Sequence, residues 1–271
     1  MTITPLERLR AAADRSAPLV PVAATFGYLI DSVEPGALVA RLPALPPAVL
    51  RGPGAVLPLV DMVLSAVIST VLPGERAIST LTMHWAGAGA LPPPGTTLVA
   101  TGSVLSVDED DAISTGTVVD GAGAVVATIS SRAALMPRPG AMVAAGEVGP
   151  AGGAGFAELQ VTRGPQDWRA LGVASLSNLV GNVQGGVLAA VAAHAVDEVI
   201  GAARPHLAGA AADLDVTFLR PVRADGSAFA VTAEPIRTGM RLAAARAEVR
   251  DGVGRLAAVV NAAHWRGSGS R

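Results

Sequence analysis

The chain is written twice. Val118-Val119-Asp120-Gly121-Ala122-Gly123 returns as Val249-Arg250-Asp251-Gly252-Val253-Gly254. Gly95 returns at Gly226, and the Gly54 that opens one apolar stretch returns as the Gly186 that opens another. The offsets are 131, 131 and 132 residues (249−118, 226−95, 186−54). A period near half of the 271 residues means two copies of one domain and not a solenoid of short repeats. Two fused copies make an intramolecular pseudo-dimer. A site at their junction can draw different groups from each copy, so one copy can lose a group that the other keeps.

Composition narrows the function. Hydrophobic residues make up 51% and charged residues 15%, enough for two cores and unlike a disordered chain. Net charge is −2, aromatics are 3%, and there is no basic block, so the footprint of a nucleic-acid binder is missing. The absence of Cys excludes disulfides, thiolate catalysis and Cys-based zinc sites. His84, His194, His206 and His264 lie far apart in sequence, and neither a metal nor another cofactor is expected. The first fifteen residues carry Glu7, Arg8, Arg10, Asp14 and Arg15 and lack the apolar core of a signal peptide. The long apolar stretches are broken by Asp61 and by His194, Asp197 and Glu198, short of the ~20 clean residues of a membrane span. The expectation is a cytoplasmic protein without a membrane span.

Patterning gives each copy one plan. After a helical arm over 1–20, strands are expected at 26–33 and 37–42, a buried helix at 54–72, and strands at 77–85, 97–107, 112–119 and 124–135. The run Asp108-Glu109-Asp110-Asp111 reads as a solvated hairpin turn in preference to a metal site. A Pro/Gly/Ala-rich stretch, 136–155, reads as a linker between repeats at 21–135 and 156–266, with a tail at 267–271. In the second repeat a short strand is expected at 156–161, helix and loop at 166–180, the apolar helix at 185–203, and strands at 214–219, 227–236, 242–250 and 255–265. An apolar helix must be wrapped. The expected class is therefore α+β, two repeats each with a long apolar helix wrapped by a curved antiparallel sheet. Exposed sheet edges invite a homodimer or larger homo-oligomer.

The sharpest local signal is Asn178-Leu179-Val180-Gly181-Asn182-Val183-Gln184-Gly185-Gly186, just ahead of the second apolar helix. Glycines at a helix start allow close approach and present free N–H groups, which with the helix dipole favour a developing negative charge. A thioester carbonyl under attack becomes such a charge, and one donor contributes about 3 kcal/mol to its transition state.

This pattern resembles the hotdog-fold acyl-CoA thioesterases of the PaaI type, with their N-x-x-G-x-x-H-G-G ahead of an apolar helix. Asn178, Gly181, Gly185 and Gly186 match, and Gln184 stands where the family has His. The stretch Asp213 to Pro221, ending Phe218-Leu219-Arg220-Pro221, looks like the family's Phe-x-Arg-Pro strand. The resemblance covers residues 20–135 and 156–265 and implies a double hotdog acting on acyl-CoA or acyl-carrier-protein thioesters. It also implies an acid on the helix eight residues after the first glycine. That position is Ala193 in the second copy and Asp61 in the first, where Pro53 replaces the glycine and Pro46 the Asn. Since the family builds each site across its dimer interface, one complementary set is implied. It comprises Asp61 as acid, Asn178 to orient water, Gln184 to shape the loop, Gly185 as oxyanion donor and Ser65 one turn from Asp61. Gly186, Asn182 and Arg220 are implied substrate contacts. The opposite junction, with Pro46, Pro53 and Ala193, is expected to be chemically empty.

Plainer readings compete. Asp61 on an apolar helix can be a buried polar group satisfied by an N–H, Ser65 a helix back-bonder, and the glycine pair simple close packing. Asp197 is a candidate displaced acid. Arg132, Arg220 and Arg241 suit either coenzyme phosphates or surface ion pairs. Two other functions stay open: a non-catalytic acyl-CoA-binding module, and a hydratase or dehydratase using His84 or His194.

Overall fold

The computed structural model describes residues 4–15, 20–46, 50, 52–74, 76–137 and 155–266. Most of the expected linker (138–154), the tail (267–271) and residues 1–3 and 16–19 of the arm lie outside the described residues. In chain order the first half holds α1 (Pro5–Ala13), α2 (Pro21–Phe26), β1 (Leu29–Glu34), β2 (Ala37–Leu42), α3 (Leu57–Ser69), β3 (Arg76–Gly87), β4 (Leu98–Val107), β5 (Asp111–Asp120) and β6 (Val125–Pro137). The second half holds α4 (Gly155–Glu158), β7 (Thr162–Arg163), β8 (Trp168–Leu171), α5 (Gly185–Ala203), β9 (Ala211–Phe218), β10 (Ala228–Thr238), β11 (Leu242–Arg250) and β12 (Leu256–Trp265).

All twelve strands form one antiparallel sheet in the order β1-β2-β4-β5-β6-β3-β9-β12-β11-β10-β8-β7. The order reads the same from both ends once each strand is matched to its repeat partner. The halves join where β3 pairs with β9, with Thr82 opposite Thr217 and His84 opposite Asp215. His84 and Asp215 are also 131 residues apart (215−84), the repeat period, so the pseudo-two-fold axis passes between them. In a dimer of identical chains that residue would face its own copy. Fusion lets the copies differ, and His84 Nδ1 lies 2.5 Å from Asp215 Oδ1 on the exposed face.

The turns explain why the repeat is visible in sequence. Asp120 Oδ1 accepts from the N–H groups of Ala122 and Ala124, and Asp251 Oδ1 from those of Val253 and Arg255. Gly123 and Gly254 close these turns at φ of 87° and 84°, a conformation that favours glycine. The acidic run is the β4–β5 hairpin, where the Asp108 N–H donates to the Asp111 carbonyl. Among the described residues no group of acids and histidines is arranged to hold a metal.

The core lies where the sheet wraps α3 and α5. Residues 59–64 of α3 and 187–193 of α5 are buried throughout. The inward positions of β4 (Leu98, Ala100) and β11 (Ala243, Ala245, Ala247) meet them with small or compact side chains. Pro58 presets the first turn of α3, and Thr70 ends the helix ahead of Pro73-Gly74. At 19 residues, α5 is long and apolar enough to cross a membrane, by length and composition alone; here it is a core helix.

Three expected elements differ. Residue 26 closes a short helix instead of opening a strand, because Gly27 at φ 72° caps it. The strand expected at 156–161 is α4 followed by the two-residue β7, since Gln160 at φ 43° breaks any extended run. Within 166–180, expected as helix and loop, Trp168 and Ala170 alternate inward as β8, leaving a short 3-10 turn at Ala174–Leu176. The sheet edges are also less inviting than expected. α1 packs on β1 and ties Arg10 to Glu34 at 2.9 Å, and β7 is too short to template another strand.

Candidate active site

Asp61 sits in the middle of the α3 core stretch and is only 4% exposed. A carboxylate there needs partners. Its Oδ2 accepts from the Gly186 N–H of the other repeat at 2.9 Å, and its Oδ1 from the Thr80 hydroxyl at 3.2 Å. Burial pushes its carboxyl above the usual carboxylate range, and these two donors offset part of that rise. Thr80 lies on β3 where the register against β6 shifts between Thr80 and Thr82. Such bulges re-aim side chains beside sites. Sequence reasoning missed Thr80; the only available sign was a hydroxyl on the strand after the acid-bearing helix.

Gln184 precedes α5 with an extended backbone, so the first N–H groups of the helix point away from its own carbonyls. Gly186 gives its N–H to Asp61. The neighbouring Gly185 N–H has no hydrogen-bond partner among the described residues. Space requires glycine at 186 and leaves 185 tight. A Cβ on Gly186 would come within 2.5 Å of the Leu57 carbonyl oxygen. One on Gly185 would lie 3.1 Å from the Phe218 ring and 3.3 Å from Asp61 Oδ2. Gln184 is buried, and its Nε2 donates to the Pro58 carbonyl at 3.0 Å, tying the loop to α3. The structure thus brings together Asp61, Gln184, Gly185 and Gly186.

The other expected residues lie around this group, each with bonds of its own. Asn178 uses its side-chain oxygen on the N–H groups of Val180 and Asn182, at 3.0 and 3.1 Å, and so braces the loop. Asn182 is held in the loop through its backbone, by this bond and by a bridge to Arg223. Ser65 donates to the Met62 carbonyl at 3.2 Å, the helix back-bonding reading, so it does not hold Asp61. The Arg220 side chain is in solvent beyond the end of β9, and Arg132 pairs with Asp111 at 2.6 Å. His84 faces outward between the buried Met83 and Trp85, which removes it from any inward chemistry.

The opposite junction is not empty as expected. Pro46, Pro53 and Ala193 are in place, but Asp197, one turn past Ala193, is buried beside Gly52. Its Oδ1 lies 3.5 Å from Nδ1 of the buried His264. Burial pulls the His264 imidazole below its ordinary value, against the opposing pull of Asp197.

This fold and site define a double hotdog in which a cross-repeat constellation joins an acid to a glycine-rich helix start. Residues 176–267 match the acyl-CoA thioesterase N-terminal domain family. No curated protein sequence matches the chain. Among solved structures, the chain is similar to acyl-CoA thioesterase II TesB2 from Mycobacterium marinum, with 14% identity and a TM-score of 0.56 over 92% of this chain and 99% of the other. It is similar to the tesB protein of Mycobacterium avium subs paratuberculosis, at 14% identity and TM-score 0.59 over 91% and 98%. It is also similar to the 12:0-ACP thioesterase from Umbellularia californica, at 14% identity and TM-score 0.53 over 85% and 94%. At these identities the likeness is one of fold.

Proposed function

We propose that the chain is a thioester hydrolase that cleaves acyl-CoA or acyl-carrier-protein thioesters at one site between α3 and α5. One observation carries the reading: the Asp61 carboxylate of the first repeat accepts the Gly186 N–H of the second, beside the unspent Gly185 N–H. A thioester carbonyl placed at the helix start takes the Gly185 N–H as its oxyanion donor. Asp61 removes a proton from water, the hydroxide adds to the carbonyl carbon, the C–S bond breaks, and the proton goes to the departing thiolate. The raised carboxyl of Asp61 suits a general base. Thr80 and Gly186 fix its plane.

The Asn178 to Gly186 loop supports a site of the PaaI type, set in a tandem architecture like that of the tesB-named structures. The reading goes with a cytoplasmic location, where such thioesters are made. Self-association through the sheet edges, as a homodimer or larger homo-oligomer, remains part of it. The assay is thiol release from a panel of acyl-CoAs and acyl-carrier proteins. Release by wild type and its loss in Asp61→Asn supports the assignment; equal release by both refutes it. A non-catalytic acyl-CoA-binding role is favoured by one observation, Gln184 in the family's His position with its amide donor spent on Pro58. Saturable binding without release would establish that role instead.

A further inference from the structure

The repeat symmetry maps the Asp61 site onto the opposite junction, and a cavity lies there. It holds about 290 Å³, at the lower end of small-molecule pockets. Gly52 and Pro53 form one wall where the first junction has Gln184 and Gly185 (184−132, 185−132). Glycine at 52 removes the side chain that at 184 fills the gap and grips the opposite helix. The rest is apolar, with Trp85 and Leu91 prominent, and Asp197 is its acid. A second cavity of about 430 Å³ adjoins the first, and the two share Gly89, Ala90, Ala208, Gly209 and Ala210 as lining. This outer chamber carries Arg266, His206 and the half-exposed Trp265.

We infer that the second junction binds an acyl-CoA without hydrolysing it. The ligand class rests on the thioesterase reading of the first junction, because the cavity occupies the symmetry-related place. The lining then selects the form of the ligand. Apolar walls with Asp197 as the one acid among the described lining residues suit an uncharged acyl thioester better than a free carboxylate, whose charge they would leave unpaired. Arg266 and the Trp265 ring in the outer chamber suit the phosphates and adenine of the coenzyme. Hydrolysis does not follow. Pro53 has no N–H for an oxyanion, and the acid stands a full turn from the Asp61-equivalent position, Ala193.

The test titrates the full-length Asp61→Asn protein with decanoyl-CoA in a calorimeter. Two molecules bind per chain, and one after adding Ala210→Trp or Gly89→Trp, which put a bulky ring into the lining that both cavities share; a Cβ at Gly89 meets open space. Decanoate at the same concentration does not compete at this site. In the Asp61 background, Ala210→Trp and Gly89→Trp retain thiol release, which shows that they fold and keep the first site. One molecule per chain, unaffected by either tryptophan, overturns the second site and leaves the thioesterase reading intact. No release by wild type, with one coenzyme-dependent molecule still displaced by the tryptophans, overturns the thioesterase reading and leaves the second site standing. Stronger binding of decanoate than of decanoyl-CoA also overturns it.

Discussion

At the scale of single residues, the proposed chemistry rests on one buried carboxylate whose stability cost and reactivity have the same origin. Burial raises the Asp61 carboxyl, so the folded chain holds that proton more tightly than the unfolded chain does. Its contribution to stability is full below the ordinary aspartate value of about 4 and declines as pH rises through the raised value. Asp61→Asn is therefore expected to raise stability at neutral pH by about 0.5–2 kcal/mol, measured by denaturant titration. The same change is expected to lower kcat by about 10²- to 10⁴-fold. Because the base works ionised, kcat/KM climbs with pH through the raised Asp61 value. Thr80→Val removes one of the two donors and moves that limb to higher pH, with a loss of about tenfold near the wild-type midpoint. A limb that stays in place would show that Thr80 does not touch the acid in solution. Asp61 was legible because the repeat supplied its context. Thr80 was not, since a strand hydroxyl carries no mark of the helix it faces.

Helices and turns show which positions obey packing and which obey chemistry. Gly54 and Gly186 are repeat partners, and each lets its segment approach the other repeat. A Cβ would come 2.8 Å from the Ala190 carbonyl oxygen at Gly54 and 2.5 Å from that of Leu57 at Gly186. Gly54→Ala and Gly186→Ala should each cost about 1–3 kcal/mol through overpacking. Only Gly186→Ala should also depress kcat at a temperature where both variants remain folded, because only Gly186 holds the acid. The bounds of α5 and β11 could be read closely from apolar content and turn residues. β8 could not. Four residues with an inward Trp168 and Ala170 show too little alternation to announce a strand, and pairing with β10 decides their conformation.

The whole molecule explains why the proposed catalytic site occurs once. Its two junctions are built alike, but copy one supplies the acid without the glycine mouth, and copy two supplies the mouth with Ala193 at the acid's position. Adding Ala193→Asp to Asp61→Asn is expected to leave thiol release below about 1% of wild type, because Pro53 still lacks an N–H. Recovery of turnover there would show that an acid alone makes a site. The seam makes a smaller demand. His84 and Asp215 are both half exposed or more, so His84→Ala should change stability by no more than about 1 kcal/mol in thermal denaturation. Replacing His84 with Asp places like charges on the pseudo-axis and should cost more, with the difference shrinking in high salt.

The sequence by itself determined the duplication, the two apolar helices, the hairpin turns and the complementary loss of acid and glycine. These are local or periodic properties, fixed by turn geometry and by the burial of one side chain after another. Only the tertiary structure decided that Asn178 and Ser65 bond to their own backbone, that Thr80 reaches Asp61, and that Asp197 with His264 marks a cavity at the junction expected to be empty. Those outcomes depend on which side chains meet across the seam, and a distance between residues far apart in the chain is set by the packing of two helices within a curved sheet.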